Sequence, residues 1–303
     1  TLSSSSAASD VYKRQIWLFG KNTSEVWYNA GTAPFPFAAI PGAFIEEGIA
    51  APASAAKFGN TVIWLGQSEE GACVVWRANG YTPQRVSTHA VEYAIQGYMR
   101  DGRTIHDAVA MTYQESGHIF YVLSFPSADA TWVYDGATNL WHERGTWDAD
   151  NRQYCAWRPQ SHAFAFEKHL VGNFKTGIVH EMSIDKFTDA GGVPIRRLRR
   201  TPHLNVEDRT LFYHKLQVML QSGVGLSSGQ GSDPQVMMRW SDDGSHTWGN
   251  EHWVSAGKMG QYSARAIWRR LGRGRNRVFE ISVTDPVPWR VISANMDVSE
   301  GTS

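Results

Sequence analysis

Seven times in this chain a tryptophan is followed four residues later by a glycine: Trp27/Gly31, Trp76/Gly80, Trp132/Gly136, Trp141/Gly145, Trp240/Gly244, Trp253/Gly257 and Trp268/Gly272. Random placement of 13 Trp and 28 Gly over 303 residues would give about one such pair, so the chain repeatedly writes a strand ending in Trp followed by a turn. The first three pairs are spaced by 49 and 56 residues, and a related segment, GIVHEMS, begins 45 residues after Trp132. Periods near ~40–50 residues, each holding about four short strands, are the signature of β-propeller blades. Three to four such units are visible, which predicts a partial propeller lacking its opening blades. The plainer alternative is an all-β domain with many turns.

The text between the pairs follows strand-and-hairpin grammar. Short apolar runs such as IWLFG, EVWYNAG, NTVIWLGQ, ACVVWRANG, HIFYVLSF and ATWVYDGATNLWHER are bounded by Gly, Asn, Asp and Pro. Aromatic residues make up 12% of the chain, which favours strands. One stretch departs clearly: behind Ser87 and Thr88, the residues Val91, Ala94, Ile95 and Tyr98 fall at i, i+3, i+4 and i+7, predicting a single short helix. Residues 1–15, TLSSSSAASDVYKRQ, show no hydrophobic period and no signal-peptide core, and read as a disordered leader left by sequence assembly. Cys73 and Cys155 lie far apart in strand-like text and form neither a disulfide framework nor a metal-ligand spacing. Twenty-nine basic residues balance 29 acidic ones, so whole-molecule charge gives no argument for nucleic-acid or membrane binding. No apolar run approaches the ~18 residues of a membrane span.

A different texture begins near Gly191. The strands lengthen (LFYHKLQVMLQ, QVMMRWSDD, RVFEISVTD, VPWRVISANMDV) and one Gly/Ser loop, residues 222–234, interrupts them. This places a boundary near residue 195, with propeller blades over 16–194 and a C-terminal antiparallel β-sandwich over 195–303. In the first long strand, Leu211, Tyr213, Lys215, Gln217 and Met219 alternate with Phe212, His214, Leu216, Val218 and Leu220, as expected of a strand with two faces.

Few motifs carry chemistry. Gly225-Leu226-Ser227-Ser228-Gly229 spells a nucleophile elbow, but no helix pattern follows it, so it reads as loop. Ser241, Asp243, Gly244, Thr247 and Trp248 resemble the Asp-box turn of sialidase-type propellers, a hairpin staple remote from catalysis. The glycine stands one place early and the box occurs once. An Asp-box glycan-binding protein or glycosidase is therefore the alternative function. A kelch-like interaction propeller is a third reading, and it leaves the C-terminal domain unexplained. His142-Glu143 and His180-Glu181 lack the second histidine of a helical zinc site, so no metal or cofactor is expected.

Two arginine clusters stand out: Arg196, Arg197, Arg199 and Arg200, then Arg269, Arg270, Arg273, Arg275 and Arg277 beside Trp268. Guanidinium groups contact phosphate without reading sequence, so these nine are candidates for lining a DNA passage or a subunit interface. The competing reading pairs them with carboxylates or places them on a solvated sheet edge, since no aromatic stacking platform accompanies them.

Three runs, STHAVEYAIQGY, DAVAMTYQESGHIFYVLSFPSADATWVYDGATNLWHERGTW and GQGSDPQVMMRWSDDGSHTWGNEHWVSAGKMGQYSARAIWRRLGRGRNRVFEISVTDPVPWRVISA, taken in order, resemble the packaged-DNA stabilisation proteins of short-tailed bacteriophages, also called tail hub or nozzle proteins. The resemblance spans about residues 16–298. It implies a virion tail component and not an enzyme: a propeller joined to a sandwich, assembled in the bacterial host cytoplasm into a homo-hexameric tube. It further implies a head-completion or portal adaptor protein above, tail spike, plug or needle proteins alongside or below, and double-stranded DNA held in and then passed at ejection.

Overall fold

A computed structural model of the chain describes residues 15–68, 71–148, 150–207 and 209–301. Of the expected leader, residues 1–14 lie outside this set. Gln15 instead opens the first strand, and its side-chain amide donates to the Tyr81 hydroxyl at 2.8 Å. The chain divides into two compact units, one ending at Met182 and one beginning at Ser183. The second opens with an irregular segment that holds the 3-10 turn Ala190–Gly192 and a bridge between Thr188 and Pro194, so its regular strands begin only at Arg197.

The first unit is a series of antiparallel sheets in which strands pair mostly with their neighbours in sequence. Sheet I contains β1 (Gln15–Phe19), β2 (Ser24–Asn29) and β3 (Phe37–Ile45). Sheet II contains β4 (Gly48–Ile49), β5 (Ala56–Phe58), β6 (Thr61–Ser68), β7 (Gly71–Asn79) and β8 (Thr82–Arg85). After the helix α1 (His89–Arg100) comes sheet III, with β9 (Val109–Glu115), β10 (His118–Phe125), β11 (Ala130–Asp135), β12 (Leu140–Asp148) and β13 (Gln153–Ala156). Sheet IV holds β14 (Pro159–Ala165), β15 (Lys168–Asn173) and β16 (Val179–Met182).

Aromatic residues hold these sheets to one another. Trp64 on β6 is fully buried, packs near Trp17 and Phe19 of sheet I, and donates to the Gly48 carbonyl at 3.1 Å. Trp141 of sheet III reaches the Val86 carbonyl beyond β8 at 2.7 Å. Val75, Ile63 and Leu65 of sheet II meet Tyr121, Leu123 and Phe125 of sheet III in one core, and α1 closes it with Val91 and Ile95. The helix forms where its spacing predicts: Thr88 caps it, its hydroxyl accepting from Val91 N–H, and Tyr98 packs on Phe125. Its polar Glu92 is also buried, held by Ser87 at 2.6 Å and by Arg85. Met111, Tyr113, Val122 and Val133 form a smaller core that Met182 of sheet IV joins.

The Trp–Gly rule holds in the backbone at most of its positions. Gly31, Gly80, Gly244, Gly257 and Gly272 all adopt φ between +62° and +97°, where a side chain would be strained. Gly145 departs from it: it lies inside β12, paired with Ala156, so Trp141 does not end its strand.

The second unit is an antiparallel sandwich. One sheet runs β17 (Arg197–Arg200), β23 (Val278–Val283), β19 (Gln235–Ser241), β20 (His252–Ser255). In the other, β18 (Leu211–Leu220) pairs on one side with β21 (Ala266–Arg269) and β22 (Arg273–Gly274), and on the other with β24 (Val291–Glu300). Leu216, Val218, Met238, Phe279 and Ile281 fill the space between them, and Trp268 donates across it to the His252 carbonyl at 2.9 Å. The simple alternation expected of β18 is broken. Its register with β24 shifts between Tyr213 and Lys215, so Leu211 and Tyr213 point inward before that bulge and Leu216, Val218 and Leu220 after it. One extra residue exchanges the two faces.

Among the described residues no helix is long and apolar enough to cross a membrane, and no group of three metal-ligating side chains comes together.

Candidate functional site

The structure sorts the nine candidate arginines into two populations. Strand register explains the first. β23 lies between β17 and β19, with Glu280 opposite both Arg200 and Arg239. Cross-strand neighbours of opposite charge meet in such a row. Glu280, 1% exposed, accepts from Arg239 Nε at 2.6 Å and Arg200 Nε at 2.8 Å, and Arg196 lies 3.7 Å away while also contacting Glu251 at 3.2 Å. The Arg200 and Arg239 guanidiniums stack near the Trp248 ring, 4.9 and 4.8 Å from its centre. Arg197 donates to the carbonyls of Val287 and Asp285, and burial pushes its guanidinium pKa down. Arg277 is 2% exposed: it grips Asp242 through Nε at 2.6 Å and a second nitrogen at 2.7 Å, donates to the Leu271 and Arg273 carbonyls, and lies over the Tyr213 and Trp240 rings. Arg196, Arg197, Arg200 and Arg277 are therefore engaged within the sandwich, and the buried Arg277 is a packing residue that cannot line a passage in this fold.

The second population is Arg199, Arg269, Arg270, Arg273 and Arg275, all exposed. Four of them follow the β21–β22 strand. Sequence reasoning missed the carboxylates Glu280 and Asp242 that separate the groups, because cross-strand partnership depends on register. It also missed Arg239.

The Asp-box-like residues form a closed hairpin turn between β19 and β20. Ser241 Oγ donates to Asp243 Oδ1 at 2.7 Å and accepts from Ser245 N–H at 2.9 Å, while Asp243 accepts from Thr247 through its backbone at 2.9 Å and its hydroxyl at 2.5 Å. Gly244 supplies φ +73°. The bonds from Thr247, then that from Ser241, hold the Asp243 carboxyl far below the usual carboxylate range. Its acceptors are taken up by the turn, and Trp248 is taken up by the two arginines. This geometry is a staple. The Gly225–Gly229 stretch is loop, as expected, without a helix behind it.

Histidines pair locally. His118 meets Asp135 at 2.8 Å, and His162 Nε2 lies 2.9 Å from His169 Nδ1 between sheets III and IV. Cys73 and Cys155 are buried free thiols, and burial pushes the Cys73 thiol up to about 11.

Antiparallel blades followed by a sandwich define a protein of the propeller-plus-sandwich class. The family models agree in order and extent. Residues 6–186 match the β-propeller and residues 196–299 the β-sandwich of bacteriophage P22 Gp10, and the chain belongs to that family of phage DNA-stabilisation proteins. No curated protein sequence matches the chain. Among solved structures it is similar to a glycoside hydrolase family 43 arabinoxylan arabinofuranohydrolase from Bacillus subtilis, at 9% identity over 93% of this chain and 59% of that one, with a TM-score of 0.24. A fructofuranosidase from Schwanniomyces occidentalis is similar at 8% identity over 94% of both chains, with a TM-score of 0.21. At these scores neither likeness carries an argument about fold or activity.

Proposed function

We propose that this chain is a tail-hub subunit, which retains packaged DNA in the phage head and forms part of the conduit through which the DNA leaves. The observation that carries the reading is the match of both units, in order, to the propeller and sandwich of one phage structural family. The subunit works as a homo-hexameric ring between a head-completion or portal adaptor protein above and spike, plug or needle proteins alongside or below. It sits in the virion tail, performs no catalysis and needs no cofactor. Largely balanced charge suits a conduit, because a wall lined throughout with unopposed cations would bind duplex through counterion release and slow its exit.

Light scattering on a sizing column followed by negative-stain imaging tests the assembly. Six copies of the 33.9 kDa chain give a ring of about 200 kDa. A species that stays at one chain mass, alone and with its adaptor protein, overturns the hexamer.

A further inference from the structure

We propose that the outer strand of the sandwich's second sheet, residues 265–275, is a binding edge for the phosphate backbone of duplex DNA. β21 and β22 form one interrupted strand along the same side of β18, opposite the side taken by β24. Lys215 pairs with Arg269 and Phe212 with Arg273, so three residues, Arg270, Leu271 and Gly272, oppose only Tyr213 and His214. This bulge, with φ +58° at Arg270 and +78° at Gly272, stays hydrogen-bonded: Arg270 N–H donates to His214 and Leu271 N–H to Tyr213.

The strand therefore presents Arg265, Arg269, Arg270, Arg273 and Arg275, all exposed and none in an ion pair among the described residues. By register, two acids of β24 lie across β18 from the edge, Asp297 opposite Lys215 and Glu300 opposite Leu211, and Glu300 is paired with Arg209. Elsewhere in the same sandwich the arginines are matched by Glu280 and Glu251, and Asp242, whose carboxylate lies against Gly274, is already held by the buried Arg277, so the exposed arginines of this edge keep their charge free for a ligand. The stretch of β18 that this edge pairs with, Leu211 to Val218, spans about 24 Å, a length over which duplex DNA presents roughly 14 phosphate charges. Of the rings beside the edge, Trp268 and Tyr213 are 4% and 1% exposed and Phe212, opposite Arg273, is 39% exposed, so the surface offers five cations for one half-exposed ring and no row of rings on which successive bases could stack. That favours the backbone of a duplex over a single strand. Cations on an open edge also block edge-to-edge pairing, and the experiment separates the two roles.

The proposal rests on the reading of the protein as a DNA conduit. Its test is the affinity of the full chain for a mixed-sequence 30-bp duplex, followed by fluorescence anisotropy from about 50 to 200 mM salt. For Arg269→Gln/Arg270→Gln/Arg273→Gln, the slope of log affinity against log salt should become shallower by about 3, and affinity at the lowest salt should fall at least about tenfold. Arg152→Gln/Lys175→Gln, exposed charges of the other unit, should change neither. Circular dichroism checks folding, and if the triple Gln variant unfolds, replacing the same three with Lys should keep the original slope. Absence of duplex binding by the unaltered chain at low salt, or an unchanged slope in the triple Gln variant, overturns the proposal. Unchanged DNA binding with loss of ring assembly overturns it in favour of an acidic protein neighbour. Loss of DNA binding in a variant whose virions still retain their DNA supports the site and removes the retention role.

Discussion

At the scale of single residues, the sandwich depends on polar groups that strand register brings together. Replacing Arg277 by Met removes the Asp242 pair and leaves the Leu271 and Arg273 carbonyls without their donor. The expected loss is about 2–4 kcal/mol, discounted from that of a fully buried pair because Asp242 is 43% exposed. Urea unfolding of the full chain measures it; a change below about 0.5 kcal/mol contradicts the packing role. In the propeller, a Cβ at Gly66 would collide with the Trp76 indole that lies against β6. Gly66→Ala should cost about 1–3 kcal/mol by the same measurement. Neither role was visible in the sequence. Arg277 read as one more member of a basic run, and Gly66 as an unremarked letter of the run NTVIWLGQ, because the partner of each comes from another strand.

At the scale of elements, legibility tracked how local the physics is. The helix at 89–100 was readable because its cap, its i, i+3, i+4 spacing and its buried face all lie within a dozen residues. The Asp-box-like turn was readable for the same reason: its bonds join residues two to four apart. The faces of β18 were not, since the bulge that exchanges them is set by pairing with β24. Nor could sequence show that His162 and His169, on neighbouring strands, would share one hydrogen bond. Burial, then the neighbouring His169, holds the His162 pKa below its ordinary value, while the Thr112 carbonyl opposes the shift. Tyr113 packs against both rings, Arg144 lies over Tyr113, and the Lys168–Glu181 pair occupies the adjoining strands. A depressed folded pKa means that the unfolded chain binds more protons in this window, so stability present above about pH 6.5 is lost as pH falls. Scanning calorimetry should show Tm falling from pH 7.5 to 5.5, with a shallower fall in His162→Gln. An equal fall in both proteins contradicts a role for the pair.

At the scale of the whole molecule, the order of the two architectures was legible because the spacing of about 50 residues between the first Trp–Gly pairs stops, and longer strands begin, near Gly191. What the sequence presented as two arginine clusters, the fold divides into a set engaged within the sandwich and an exposed set that lies mostly along one edge. Under the proposal made above, a chain of balanced charge meets DNA along that one strand. The central claim, retention of packaged DNA, is tested most directly in phage particles assembled with and without a functional copy of this protein, by measuring how much full-length DNA remains protected from added nuclease. The account predicts that particles lacking it package DNA and then lose it, so that protected DNA falls to background. Particles that keep their DNA equally well without it would contradict the account.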